Sequence, residues 1–253
     1  MKLNTHVWGD HSAARSAVLI HGVTSNAASW VRVGPALAAA GYYVVAPELR
    51  GHGASPRAAG QYALDLMVGD LSESVPVAPT LLIGHSFGGV LAILAIKQGL
   101  LRPRFLALED PVLHFADKDT PARLLKHDEL NYPRDREAIL RANPKWLPID
   151  AEGKVESLGS VDWEHMRQIF AENAPWDLRA DLREVAQFVP TRLILPEESF
   201  YVPPTDAAAI ASDLGARAVV HVPGTNHSIH RDDLEAFLVI LRDLTGEAGA
   251  PLD

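Results

Sequence analysis

Short apolar runs alternate with helical stretches along most of the chain, and this alternation is what most restricts the fold. The runs are Leu3–Trp8, Ser16–Ile20, Tyr42–Ala46, Thr80–Ile83, Phe105–Leu108, Thr191–Leu195 and Ala218–Val222. Most of them are almost wholly β-branched or aliphatic. A strand of that kind needs burial on both faces, which a parallel sheet covered by helices provides. Helical patterning over Val33–Ala40, Leu64–Ser74, Phe87–Gln98, Thr205–Asp213 and Arg231–Leu244 supplies the covering layers. Pro79 and Pro190 stand just ahead of strands, and Gly41 follows a helix as a cap. The pattern predicts an α/β fold with a doubly wound, mostly parallel sheet.

One stretch departs from this rhythm. From Val112 to Gln187 no convincing strand is visible. Helical pieces (Pro121–Leu130, Arg134–Ala142, Val161–Ala171, Leu178–Ala186) carry the aromatics Phe115, Trp146, Trp163, Phe170 and Trp176. We therefore divide the chain into a core, residues 1–111 and 188–253, and a helical cap inserted at 112–187. Such a cap is placed over the C-terminal edge of the sheet, where α/β proteins bind ligands. The last residues, Gly246–Asp253, are small and polar and read as a fraying tail.

The chemistry is concentrated in Thr80-Leu-Leu-Ile-Gly84-His85-Ser86-Phe87-Gly88-Gly89, a buried strand, a G-x-S-x-G turn and an apolar helix. The five-residue pattern is common by itself; the strand before it and the helix after it make it specific. A serine on so tight a turn sits at a strained backbone position with its hydroxyl presented. Side chains at Gly84 or Gly88 would collide where strand and helix approach. The free N–H of Phe87, at the start of the helix, can donate to an oxyanion forming beside Ser86. Three companion segments sit after other strands: Ile20-His21-Gly22-Val23, the Gly-rich Glu48–Ser55 loop, and Val220–Ser228 with His227. The Val23 N–H is the candidate second oxyanion donor.

With these motifs the chain resembles the α/β-hydrolases, over Ile20 to Ser228 and nearly the whole strand–helix order. The resemblance implies Ser86 as nucleophile and His227 as the base that takes its proton and returns it to the leaving group. His221, inside the last strand, reads as structural. His21, His52 and His85 occupy loop positions that shape a site more often than they react. Eleven histidines raise the question of metal, but no HExxH, HxH or chelating acid cluster is present, and no metal or cofactor is implied.

The third member departs from the family pattern. The usual acid follows the penultimate core strand in a stretch resembling G-x-x-D-x-x-x-P. Here it reads Pro196-Glu-Glu-Ser199-Phe-Tyr-Val-Pro203, with serine at the acid position. In branches resembling haloalkane dehalogenases and zearalenone-type lactonases, the acid instead follows the strand after the nucleophile helix. Asp110 aligns with that position. Glu198 and Glu109 are the alternatives, although strand alternation points Glu109 the other way. Dehalogenase chemistry itself needs a carboxylate nucleophile, and Ser86 occupies that place.

The expectation is thus a hydrolase cleaving a carboxylic ester or lactone of a small, apolar or aromatic substrate through an acyl-enzyme. Carbon–carbon bond hydrolysis, amide cleavage and a non-catalytic ligand-binding role on the same fold stay open. The balance of 32 acids against 23 bases, a formal charge of −9, argues against nucleic-acid binding and against docking on anionic lipid. With no cysteine, disulfides and thiolate sites are excluded. Residues 1–10 do not resemble a signal peptide, and no apolar run of about 18 residues exists, so the expectation is a cytoplasmic protein. Oligomeric state is left open.

Overall fold

Seven strands form the main sheet of the computed structural model, which describes residues 1–246; most of the expected fraying tail lies outside the described residues. Along the first half of the chain come β1 (Thr5–Trp8), β2 (Arg15–Ile20), α1 (Val33–Ala39), β3 (Tyr42–Pro47), α2 (Leu64–Ser74), β4 (Leu81–His85), α3 (Phe87–Lys97) and β5 (Phe105–Glu109). The insertion then supplies β6 (His114–Phe115), α4 (Asp119–Asn131), α5 (Arg136–Ala142), α6 (Pro148–Ser160), α7 (Trp163–Asn173) and β7 (Trp176–Asp177). The chain returns through α8 (Arg179–Ala186), β8 (Thr191–Pro196), α9 (Pro204–Leu214), β9 (Val219–Val222), α10 (Ile229–Asp232) and α11 (Leu234–Thr245).

The sheet order is β1-β3-β2-β4-β5-β8-β9. Only β1, at the edge, runs antiparallel to its neighbour. The apolar runs behave as period-two strands buried on both sides. Val18, Ile20 and Leu82 face one core with α2 and α3, while Ala17, Leu19, Leu81 and Ile83 face the other with α1 and α11. Each fully buried aliphatic side chain contributes about 1.5–3 kcal/mol.

Four features differ from the sequence reading. The insertion has a strand pair after all: His114 and Phe115 pair with Asp177 and Trp176, zipping its two ends together. Two-residue strands are too short to carry a periodic signal. Second, α6 lies between the predicted helical pieces. Its glycines and mixed polarity hide it, yet Gly153 is needed, because a Cβ there would sit 2.7 Å from the Ala28 carbonyl oxygen. Third, α8, assigned by sequence to the cap, packs on α3 and α9 beside the sheet, burying Leu182 and Val185. Fourth, the predicted Arg231–Leu244 helix is broken at Asp233, whose side chain accepts from the Ala236 N–H at 2.9 Å and starts α11 as an N-cap. No helix among the described residues is long and apolar enough to cross a membrane.

The crossing of β2 and α3 leaves no room for a side chain. A Cβ on Gly88 would lie 2.2 Å from the Ile20 carbonyl oxygen, and one on Gly84 would lie 2.7 Å from the Gly88 carbonyl oxygen. Gly88→Ala must push backbone from backbone, so a loss of about 3 kcal/mol in urea unfolding is expected. A loss below about 0.5 kcal/mol, the range of an ordinary surface change, would mean that this approach is not tight.

Candidate active site

The segments that follow β4 and β9 meet at one cavity, and the end of β5 reaches it through a hydrogen bond to His227. Ser86 follows β4 directly and adopts φ +54°, ψ −119°, a rarely populated conformation for a residue with a side chain. Its amide is held by the Glu109 carbonyl at 2.9 Å, and Gly89 N–H donates to its own carbonyl at 3.0 Å. The turn is therefore fixed from both sides. Phe87 opens α3, where an amide has no intrahelical acceptor. The Gly22–Val23 loop abuts Ser86 closely, since a Cβ on Gly22 would come within 3.2 Å of Ser86 Cβ. His52 Nε2 lies 2.7 Å from the Val23 carbonyl, and His21 Nε2 accepts from the Leu49 N–H at 3.0 Å. These bonds hold the loop that carries the candidate oxyanion donor. Burial depresses the pKa of both histidines below the ordinary value, so they act here as neutral hydrogen-bonding rings.

His227 follows β9, and its Nδ1 lies 2.6 Å from Asp110 Oδ2. His85, next to Ser86, binds the His227 carbonyl through Nε2 at 2.9 Å. Burial holds His85 well below the usual histidine range, so its neutral Nε2–H donates to that carbonyl and ties the two loops together. Ser86 and His227 line the same cavity. Among the described residues, no hydrogen bond joins the Ser86 hydroxyl to the imidazole; nucleophile–base contacts are commonly looser before substrate binds.

Of the three carboxylates weighed from sequence, Asp110 is the one that meets His227. It is buried, takes a positive φ of 39°, and its amide is held by the Ile194 carbonyl at 2.9 Å. Glu109 turns to the other side and binds His230 instead, with Nδ1 at 2.8 Å and the His230 N–H at 2.8 Å. Burial drives that pair toward its neutral forms, carboxyl up and imidazole down. Glu198 is exposed on the loop after β8, and no hydrogen bond takes it to His227. Sequence reasoning missed Ser199. Its hydroxyl donates to Asp110 Oδ1 at 2.5 Å while accepting from the Val202 N–H at 2.8 Å. The serine at the usual acid position thus steadies the carboxylate that meets His227 from the end of β5. Counting along the loop exposed the serine, but only the fold reveals its partner.

The cavity has a volume of about 250 Å³ and is walled by polar side chains from core and cap, including Tyr132, Asn143, Lys154 and Arg231. A second recess of about 40 Å³ also reaches Ser86 and is apolar, formed by Phe87, Val112, Phe115, Leu124, Leu125 and Phe170 among others. The cap aromatics are divided in their roles. Trp146 lines the polar cavity, Phe115 and Phe170 line the apolar recess, and Trp176 packs against Phe87, Phe115 and Phe170.

A family model described as the alpha/beta hydrolase family matches residues 17–239. Epoxide hydrolase A of Mycobacterium tuberculosis is 38% identical over 79 residues, a stretch covering 29% of this chain and only 24% of that protein. Among solved structures, the enol-lactonase of Burkholderia xenovorans LB400 gives a TM-score of 0.76 at 19% identity, covering 96% of each chain. The N-formylmaleamic acid deformylase of Pseudomonas putida S16 gives 0.68 at 23% identity, covering 94% of this chain and 96% of that one. At these identities the likeness is one of fold.

Proposed function

The chain belongs to the alpha/beta hydrolase family, and from that premise we propose that it is a serine hydrolase cleaving a carboxylic ester or lactone of a small substrate through an acyl-enzyme. The reading is carried by one observation: a buried carboxylate 2.6 Å from the imidazole of His227, at the cavity that the strained Ser86 also lines. Asp110 holds the proton on Nδ1, which leaves Nε2 as the base. Ser86 Oγ attacks the carbonyl carbon as its proton passes to Nε2. The carbonyl electrons move to oxygen, where the Val23 and Phe87 N–H groups receive the charge. The tetrahedral species collapses, the leaving oxygen takes the proton from His227, and Ser86 keeps the acyl group. Water repeats the sequence and releases the acid.

The polar cavity and the apolar recess both reach Ser86, an arrangement that suits a substrate with one polar part and one short apolar part. The Asp110–His227 pair beside a strained serine favours catalysis over a purely ligand-binding role. Mixing the enzyme with p-nitrophenyl butyrate is expected to give a burst of p-nitrophenol near one equivalent, the mark of acyl-enzyme accumulation. A fluorophosphonate probe is expected to label Ser86. Absence of burst and label, together with cleavage of a β-diketone, would move the assignment to carbon–carbon chemistry.

A further inference from the structure

Arg231, on α10, is 3% exposed and lines the Ser86 cavity. Its Nε and Nη2 have no hydrogen-bond partner. The guanidinium lies 4.6 Å from the centre of the Trp146 ring, and its nearby carboxylates are engaged elsewhere. Glu109 binds His230, Asp150 binds Arg32 and the Leu147 N–H, and Asp232 binds the Trp146 indole N–H and the Asn226 N–H. Lys154 reaches the same cavity from α6 in the cap and is 6% exposed. Its Nζ donates to the Thr24 carbonyl at 2.9 Å and stands 4.5 Å from the centre of the Tyr132 ring. Burial first, and then the charge of Arg231, bring its pKa down to about 7. Asp128, partly exposed, also lines the cavity and offsets only part of this positive charge.

Two buried cations at one cavity are costly, and a guanidinium with unsatisfied N–H groups is costlier still. A carboxylate relieves both costs, because its two oxygens match the guanidinium fork and its charge restores the lysine proton. We propose that the cap-side wall of the Ser86 cavity is an anion subsite, in which Arg231 and Lys154 receive a carboxylate that the substrate carries away from its scissile bond. This rests on the serine-hydrolase reading and narrows its substrate class to acidic esters or lactones.

The test compares esters that differ only in that charge. One pair places it in the acyl part: mono-p-nitrophenyl glutarate against its methyl ester. The other places it in the leaving group: 4-acetoxybenzoate against methyl 4-acetoxybenzoate. With spontaneous hydrolysis subtracted, kcat/KM is expected to favour the acid of one pair by roughly 10- to 100-fold, the scale of a charge-assisted hydrogen bond. The pair that shows it tells which side of the bond lies under the cap. In Arg231→Gln the ratio is expected to fall toward one, and in Lys154→Met to fall in part. Glutarate binding, measured by calorimetry on the wild-type protein, needs neither turnover nor a variant that folds. Ester turnover with ratios near one and no glutarate binding overturns the subsite and leaves the hydrolase reading standing. Glutarate binding without turnover of any ester does the reverse. A preference that both variants retain in full also overturns the assignment.

Discussion

Replacing Ser86 with alanine is expected to lower kcat by roughly 10⁶-fold, as loss of a nucleophile does where serine and histidine act as a unit. Only Oγ is removed, so the elbow, its φ of +54° and the amide contact with the Glu109 carbonyl are all retained. Glycine at the same position separates chemistry from conformation. It is equally inactive, but it relaxes a backbone strain of about 1–3 kcal/mol, less its own unfolded-state entropy of about 0.5–1 kcal/mol. Ser86→Gly is therefore expected to be about 1 kcal/mol more stable than Ser86→Ala in urea unfolding. If glycine is the less stable of the two, the turn is not strained. If alanine retains activity, Ser86 is not the nucleophile.

The second large effect is expected from Asp110→Asn, a loss of about 10⁴-fold in kcat with little change in fold. An amide facing Nδ1 can present its N–H there, which places the imidazole proton on Nε2 and blocks the base. Ser199, whose hydroxyl is 2.5 Å from Asp110 Oδ1, offers a way to check the assignment. A carboxylate at position 199 reaches the same neighbourhood, so Asp110→Asn with Ser199→Asp is expected to recover part of the lost rate. Full activity in Asp110→Asn alone would take the acid role away from this residue. Activity lost instead in Glu109→Gln, with the imidazole of His230 uncoupled, would transfer it to the neighbouring pair.

The sheet was largely legible because its signals are local. An apolar run such as Leu81–Ile83 announces a strand buried on both faces, and the glycines around Ser86 announce a turn that nothing larger fits. The two oxyanion candidates follow from that turn and from the loop after β2. What stayed hidden depends on contacts between distant parts of the chain. Lys154 lies on a helix whose periodicity is weak, and it meets Thr24 only through the packing of α6 on residues 22–30. Arg231 sits in what reads as the start of one helix, until the cap formed by Asp233 divides it and leaves α10 as a short turn lining the cavity. Choosing among Asp110, Glu109 and Glu198 needed coordinates for a similar reason. Adjacent residues at the end of β5 serve histidines on two sides, and the chain order says nothing about which imidazole arrives where.

On the proposed assignment, housing the acid at the end of a central strand has a bearing on how such a protein diversifies. The segment after β8 then supplies no reacting group; it is tethered through Ser199 to Asp110 and through Glu197, whose carboxylate accepts from the Gly224 N–H at 2.8 Å. Phe200 stands largely in solvent there, and Tyr201 lines the cavity with its ring centre 5.0 Å from that of His227. Changes at Phe200 and Tyr201, which make no hydrogen bond to Asp110 or His227, can therefore reshape the cavity wall while the imidazole keeps its aim, and these two positions are the natural place for new selectivities to arise.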